Sequence, residues 1–93
     1  MKAYVRIYDN DGKTMDRFTA VFLNDYNPRN GLYACLGMSE RPFHPQGFGQ
    51  HGECQDGLHL GHKIAFEELP LDCQDAVNQE IEAYNNQHKE ERR

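Results

Sequence analysis

Two segments decide the fold: Ala3-Tyr4-Val5-Arg6-Ile7-Tyr8-Asp9-Asn10-Asp11-Gly12 and, four residues later, Arg17-Phe18-Thr19-Ala20-Val21-Phe22-Leu23. Up to Tyr8, apolar residues alternate with Tyr4, Arg6 and Tyr8 itself, a pattern typical of a half-buried strand. Asp11-Gly12 favours a hairpin turn, because such turns need positive φ. The second segment is apolar on both faces after Arg17, which predicts a central strand returning beside the first.

A third strand is predicted over residues 32–38, after a turn-rich stretch over 24–31. Its even-numbered residues are apolar and share one face, as expected of a strand that is buried on one side. On the other face Gly37 replaces a side chain. A glycine inside a strand often indicates a bulge or the close approach of another segment.

The rest of the chain predicts a long loop, a short strand and a helix. Residues 62–66 could form a fourth strand, and a helix is expected over about 70–86. The helix has acidic residues near its start and an apolar stripe on one face, formed by Cys73, Val77, Ile81 and Tyr84.

The predicted fold is a single α+β domain over residues 1–93. Its antiparallel sheet has three to four strands, of which the first two form a hairpin. A long ordered loop over 39–61 follows, and one C-terminal helix packs on the sheet. A frayed tail is expected over 87–93, because that stretch has no apolar residue.

Composition excludes several classes of protein. The net charge is −5, and from Glu67 onward eight acidic residues face three basic ones, which disfavours binding to nucleic acid. No apolar run is long enough to cross a membrane, and no signal peptide is expected. The three cysteines are an odd number and widely spaced, so we expect no disulfide framework and a cytoplasmic protein in a bacterial host.

The stretch 41–62 is the predicted functional region, because it combines aromatic rings, rigid turns and hydrogen-bonding tips. The alternative is that Phe43 and Phe48 pack under the loop as its own small core. The residues predicted to bind a protein or small-molecule ligand are Arg41, Phe43, His44, Gln46, Phe48, Gln50 and His51.

A competing hypothesis is a zinc site formed by two short pairs, His51 with Cys54 and His59 with His62. The four side chains converge only if the second pair lies in a turn, since residues three apart on a strand point to opposite faces. Otherwise these histidines cap turns or face water. No sequence motif of a hydrolase, metalloprotease or phosphate-binding loop occurs, so we expect a protein without catalysis.

The remaining special residues have simple structural interpretations. For Tyr4, Tyr8 and Tyr33, cross-strand packing is favoured over stacking on single-stranded nucleic acid. Cys35 and Cys73 are interpreted as small buried apolar residues.

Three linked motifs resemble a known group: Arg41-Pro42-Phe43-His44-Pro45-Gln46-Gly47-Phe48-Gly49-Gln50-His51, then His59-Leu60-Gly61-His62-Lys63-Ile64, then Leu69-Pro70-Leu71-Asp72-Cys73-Gln74. The chain is similar to small uncharacterised proteins of bacteriophages and other bacterial mobile elements. The resemblance implies no activity, although inhibition of a host system fits that context. The group commonly has a basic residue at the position of His62, which counts against zinc there.

The leading hypothesis is therefore a small non-catalytic binding protein of phage or mobile-element type. It would contact a protein or small ligand through residues 41–62, and a homodimer is compatible with the sequence. The alternative is a zinc-stabilised domain or small metalloenzyme.

Overall fold

The computed structural model describes residues 5–43, 45, 47 and 49–91, with side chains described up to residue 83. Five strands form one sheet: β1 (Val5–Asp9), β2 (Phe18–Asn27), β3 (Leu32–Met38), β4 (Gly49–Cys54) and β5 (His62–Ile64). The strand order is β4-β3-β2-β1-β5, and every neighbouring pair is antiparallel. One helix, α1 (Leu71–Glu91), follows the sheet.

The α+β class and the pairing of the first two strands are confirmed, but the predicted strand count of three to four is wrong. The additional strand, β4, lies inside the stretch predicted as loop over 39–61. Its sequence, Gly-Gln-His-Gly-Glu-Cys, has no branched aliphatic residue and no apolar alternation. Backbone pairing with β3 along its whole length defines it, and such pairing leaves no signal in side-chain type.

One face of the sheet carries the core. The register aligns Ile64, Ile7, Ala20, Leu36 and His51 in a single row across all five strands. Residues two positions away along each strand share this face. The buried cluster combines strand residues with Leu69 and with two residues of α1; its members are Ile7, Phe18, Ala20, Leu36, Met38, Leu69, Cys73 and Val77.

The helix begins after Pro70, whose carbonyl accepts the backbone N–H of Gln74 at 3.0 Å. Cys73 and Val77 are fully buried, as the predicted apolar stripe requires, and Ile81 packs at the edge of the cluster. The fourth stripe residue, Tyr84, has its side chain outside the described part of the structure. The helix extends to Glu91, against a predicted end near residue 86.

A short segment covers the opposite face. Because β4 and β5 lie at opposite edges and run in the same direction, residues 55–61 must cross the sheet; we call them the crossover segment. Four strand spacings amount to about 19 Å. The eight steps from Cys54 to His62 reach at most roughly 27 Å. The crossover segment therefore has few residues beyond the number needed to span the sheet. A single turn of 3-10 helix, Leu58–Leu60, is the only regular structure described within it.

The described part of the chain contains no helix that combines the length and apolar character needed to cross a membrane.

Candidate functional site

The connection between β3 and β4 is fixed at its base. The thiol of Cys73 in α1 donates a hydrogen bond to the carbonyl of Ser39 at 3.2 Å, and Glu40 forms an ion pair with Arg17. Further along, Phe43 leaves 54% of its surface exposed. Of the two anchors predicted for a private loop core, Phe43 is thus open to solvent, and Phe48 lies outside the described residues.

β4 is an exposed edge strand. Its first five residues are exposed and only Cys54 is partly buried. On its inner side it pairs with β3 from Met38↔Gly49 to Tyr33↔Cys54. Among the described residues, no strand pairs with its outer side. The outer edge therefore presents backbone N–H and C=O groups that a further strand could use.

His51 projects from β4 to the helix side of the sheet, since it lies in the same row as Leu36. Its Nε2 atom forms an ion pair with a carboxylate oxygen of Glu80 in α1. At the end of β4, the side-chain amide of Asn30 donates to Glu53 at 3.1 Å. These two contacts connect the edge strand to the helix and to the β2–β3 turn.

Four of the seven predicted binding residues are exposed, either on this strand or in the connection that precedes it. Arg41 and Phe43 are exposed in the preceding connection, and Gln50 and His51 are exposed on β4 itself. The remaining three, His44, Gln46 and Phe48, lie outside the described residues. We use the name β4 edge surface for the outer edge of Gly49–Cys54 together with Arg41 and Phe43.

The four predicted zinc ligands are not brought together. His51 lies on β4 and His62 on β5, and these strands are the two opposite edges of the sheet. Cys54 lies three residues after His51 on the same strand, so its side chain is on the other face. His59 lies in the crossover segment. Two features separate these groups: side chains alternate between the two faces along β4, and the sheet is about 19 Å wide over four strand spacings.

A different polar cluster surrounds His62. Its ring nitrogens lie 4.0 Å from Asp9 and 3.6 Å from Asp11, and the three side chains could in principle ligate a cation. Both carboxylate oxygens of Asp9, however, already accept hydrogen bonds from Arg17, at 2.9 and 3.1 Å. Those bonds hold the pKa of Asp9 below its usual value despite its burial. Asp9 is thus already paired with Arg17, and the cluster is part of an ion-pair network.

The crossover segment is tied to the sheet by Asp56. Its carboxylate accepts a hydrogen bond from the hydroxyl of Tyr8 at 2.6 Å and forms an ion pair with Arg6. Tyr8 is only 3% exposed, and this burial, together with the hydrogen bond, raises its pKa. The sequence offers one signal for this contact: Arg6 and Tyr8 alternate with the apolar residues of β1, so both face the side opposite the core.

The tyrosine face considered for stacking on nucleic acid is occupied by the protein itself. Tyr8 is buried under the crossover segment. The ring of Tyr33 packs on that of Tyr26, with centroids 4.9 Å apart. Tyr4 lies outside the described residues. Of the three predicted tyrosines, Tyr33 shows the cross-strand packing that the sequence favours, whereas Tyr8 contacts the crossover segment.

Comparisons of the chain with protein-family models, with curated proteins and with solved structures gave no match. The function is therefore inferred from the geometry and chemistry of the chain's own residues.

Proposed function

We propose that this chain is a small non-catalytic binding protein that takes an extended segment of a partner protein onto the β4 edge surface. The observation that carries the proposal is the outer edge of β4, a six-residue strand that is exposed and unpaired among the described residues. An extended peptide adds to such an edge through backbone hydrogen bonds, and side-chain contacts then supply specificity.

The two edges of the sheet differ in a way that supports this assignment. β5 has three residues and carries Lys63, and short length and lysine both discourage pairing at an edge. β4 is twice as long and contains neither lysine nor proline. A protein that exposes such a strand risks aggregation unless the strand has a partner.

Phe43 supplies the apolar part of the proposed contact. It is a large exposed ring in the connection that leads into β4, and Pro42 of that connection packs beside Gly49. Rigid aromatic rings next to polar hydrogen-bonding groups are typical of residues that dominate binding energy at interfaces. The partner segment should therefore be extended, polar where it faces Gln50 and His51, and apolar where it meets Phe43.

The resemblance to proteins of bacteriophages and mobile elements suggests where to seek the partner. We propose a bacterial host protein, in the cytoplasm, whose activity is inhibited when its segment is captured. β4 contains no lysine or arginine and carries the acidic Glu53, which favours a protein partner over nucleic acid.

A capture experiment tests the proposal. The wild-type chain, a double variant Phe43→Ala/Gly49→Lys and a control Leu71→Ala are used to capture proteins from a bacterial lysate. Among the described residues, a Cβ atom at Gly49 would meet Pro42 at 3.6 Å, an ordinary contact, so the lysine should be tolerated in the fold while it opposes edge pairing. Leu71 is 76% exposed at the start of α1 and is not part of the β4 edge surface.

The control should capture the same partner as the wild type, and the double variant should lose it. Hydrogen exchange on the captured complex should then show protection of the β4 amides. A folded double variant with an unchanged set of partners would contradict the proposal.

A further inference from the structure

Two cysteines that are far apart in the sequence meet on the face of the sheet opposite α1. Cys35 of β3 pairs with Gly52 of β4, and Tyr33 pairs with Cys54, so the cysteines are diagonal neighbours on one face. Gly52 has no side chain between them; a Cβ atom placed there would lie 3.9 Å from the sulfur of Cys35. Cys35 is close enough to Cys54 to contribute to raising the pKa of its thiol.

Both cysteines line one cavity of about 220 Å³. The polar residues Asp16, Thr19 and Gln50 also line this cavity, as does Leu60 of the crossover segment. Cys35 and Cys54 are each partly exposed, so the cavity gives a small solute access to their sulfurs. The third cysteine, Cys73, is fully buried on the other face of the sheet.

We propose that Cys35 and Cys54 form a two-thiolate binding site for a soft metal ion of low coordination number, namely copper(I). Thiolate sulfur is the ligand type that selects copper(I) among the biological metals, together with zinc and iron–sulfur clusters. Within the described residues, no histidine or carboxylate joins the two sulfurs to make a set of three ligand atoms within 4.8 Å of one another. Two ligands alone do not satisfy zinc, which takes four in structural sites.

The diagonal arrangement favours a bridging metal over a disulfide. Diagonal residues on neighbouring antiparallel strands have Cα atoms about 7–8 Å apart. A disulfide requires a Cα separation of about 4.4–6.8 Å. A metal between the sulfurs adds reach, since two bonds of about 2.3 Å, the zinc–sulfur length, place the sulfurs up to roughly 4.6 Å apart.

Binding replaces two protons by one metal ion. The two S–H bonds break, both protons go to solvent, and two copper–sulfur bonds form, while copper stays in the +1 state. Burial, reinforced by the neighbouring thiol, raises the pKa of Cys54 to about 12. Because two protons are displaced, metal affinity should rise with pH.

The metal site shares Cys54 and Gln50 with the β4 edge surface but uses a different part of the strand. Its sulfurs project from the face of the sheet, whereas the proposed partner strand pairs with the outer edge. Loss of metal binding would therefore leave partner capture intact, and loss of capture would leave metal binding intact.

The test is an anaerobic titration of the full chain with copper(I) in competition with a chromogenic copper(I) chelator. The variants are Cys35→Ser and Cys54→Ser, with Cys73→Ala as the matched control for a cysteine outside the site. Wild type and control should each bind one copper(I) per chain. Each serine variant should lose more than about 100-fold in affinity, beyond the 10–100-fold typical of losing an outer-shell partner.

A second measurement needs no variant. Bound copper(I) should protect Cys35 and Cys54 of the wild-type chain from alkylation, as read by peptide mass spectrometry, and X-ray absorption should show two sulfur neighbours. Wild-type affinity in Cys35→Ser, or alkylation of Cys35 and Cys54 unchanged by one equivalent of copper(I), would overturn the proposal.

Discussion

The two faces of this sheet are covered by different physical means. On the helix face, α1 and Leu69 bury apolar strand residues such as Ile7, Leu36 and Met38. On the other face, the crossover segment is held by the carboxylate of Asp56. The helix face should therefore be stabilised by apolar burial, with little dependence on pH. The crossover face should depend on a few polar groups and on backbone geometry.

The largest effect is expected in the apolar cluster. Met38 is completely buried, and Met38→Ala should lower the free energy of unfolding by about 3–4 kcal/mol, because transfer and cavity costs add. Met15 is 69% exposed, and Met15→Ala should change the same quantity by less than about 0.5 kcal/mol. Urea denaturation measures both. Equal losses for the two methionines would contradict the assignment of the helix face as the core.

The crossover segment should be most sensitive at its last residue. Gly61 has φ of +125°, and a Cβ atom there would lie 2.3 Å from the backbone oxygen of Asp9. Gly61→Ala should therefore cost about 2–3 kcal/mol, as strain and steric clash combine.

Gly12 is the matched control for that substitution. Its φ is +82°, but a Cβ atom would meet nothing within 4 Å. Gly12→Ala should cost only about 1 kcal/mol, the strain of a left-handed backbone alone. Chemical denaturation of both variants separates the two contributions, and similar losses would show that the contact with Asp9 is unimportant.

A smaller effect is expected for the hydrogen bond that holds the crossover segment. Tyr8→Phe should lower stability by about 1 kcal/mol at neutral pH, since Asp56 loses one donor. The exposed Tyr26 serves as the control, and Tyr26→Phe should have less effect.

Tyr8 should also make the stability of the protein depend on pH in the alkaline range. The folded pKa of Tyr8 lies above its ordinary value of 10.0, so its contribution is complete below pH 10 and is lost as the pH rises through the folded pKa. Stability of the wild type should therefore fall at high pH more steeply than that of Tyr8→Phe. Parallel stability profiles above pH 10 would argue against the Tyr8–Asp56 bond.

The smallest effect is expected for the ion pairs around Asp9, the last residue of β1. The folded pKa of Asp9 lies below its ordinary value of 3.8, chiefly through Arg17, so its contribution is present above that pH and is lost as the pH falls through the folded pKa. Asp9→Asn should cost about 0.5–1 kcal/mol at neutral pH and almost nothing in acid. Thermal unfolding between pH 7 and pH 2 tests this, and a pH-independent loss would be the contrary result.

Elements with side-chain patterns were predictable, whereas elements held by backbone pairing were not. The predicted bounds of β3 are those observed, because four apolar residues alternate there. Gly37 inside the strand predicts a bulge or a close approach, and the structure shows the close approach: a Cβ atom there would lie 3.2 Å from Asp16. β4 gave no such pattern, so its six residues were assigned to a loop.

The candidate site was predictable in part for the same reason. Polar and aromatic residues such as Phe43 and Gln50 can be recognised by type, and both are exposed, Gln50 on β4 and Phe43 in the connection before it. The proximity of Cys35 to Cys54 could not be predicted. It depends on the register between β3 and a strand that the sequence does not indicate.

The sequence by itself determined the α+β class, the central hairpin, the third strand and the apolar stripe of the helix, since these follow from local periodicity and turn chemistry. The tertiary structure alone decided the additional strand β4, the crossing of residues 55–61 and the separation of the predicted zinc ligands. These features depend on which edge each strand occupies and in what register it pairs. Backbone hydrogen bonds and the length of the connecting segments determine the position and register of each strand, and neither can be read from residue type.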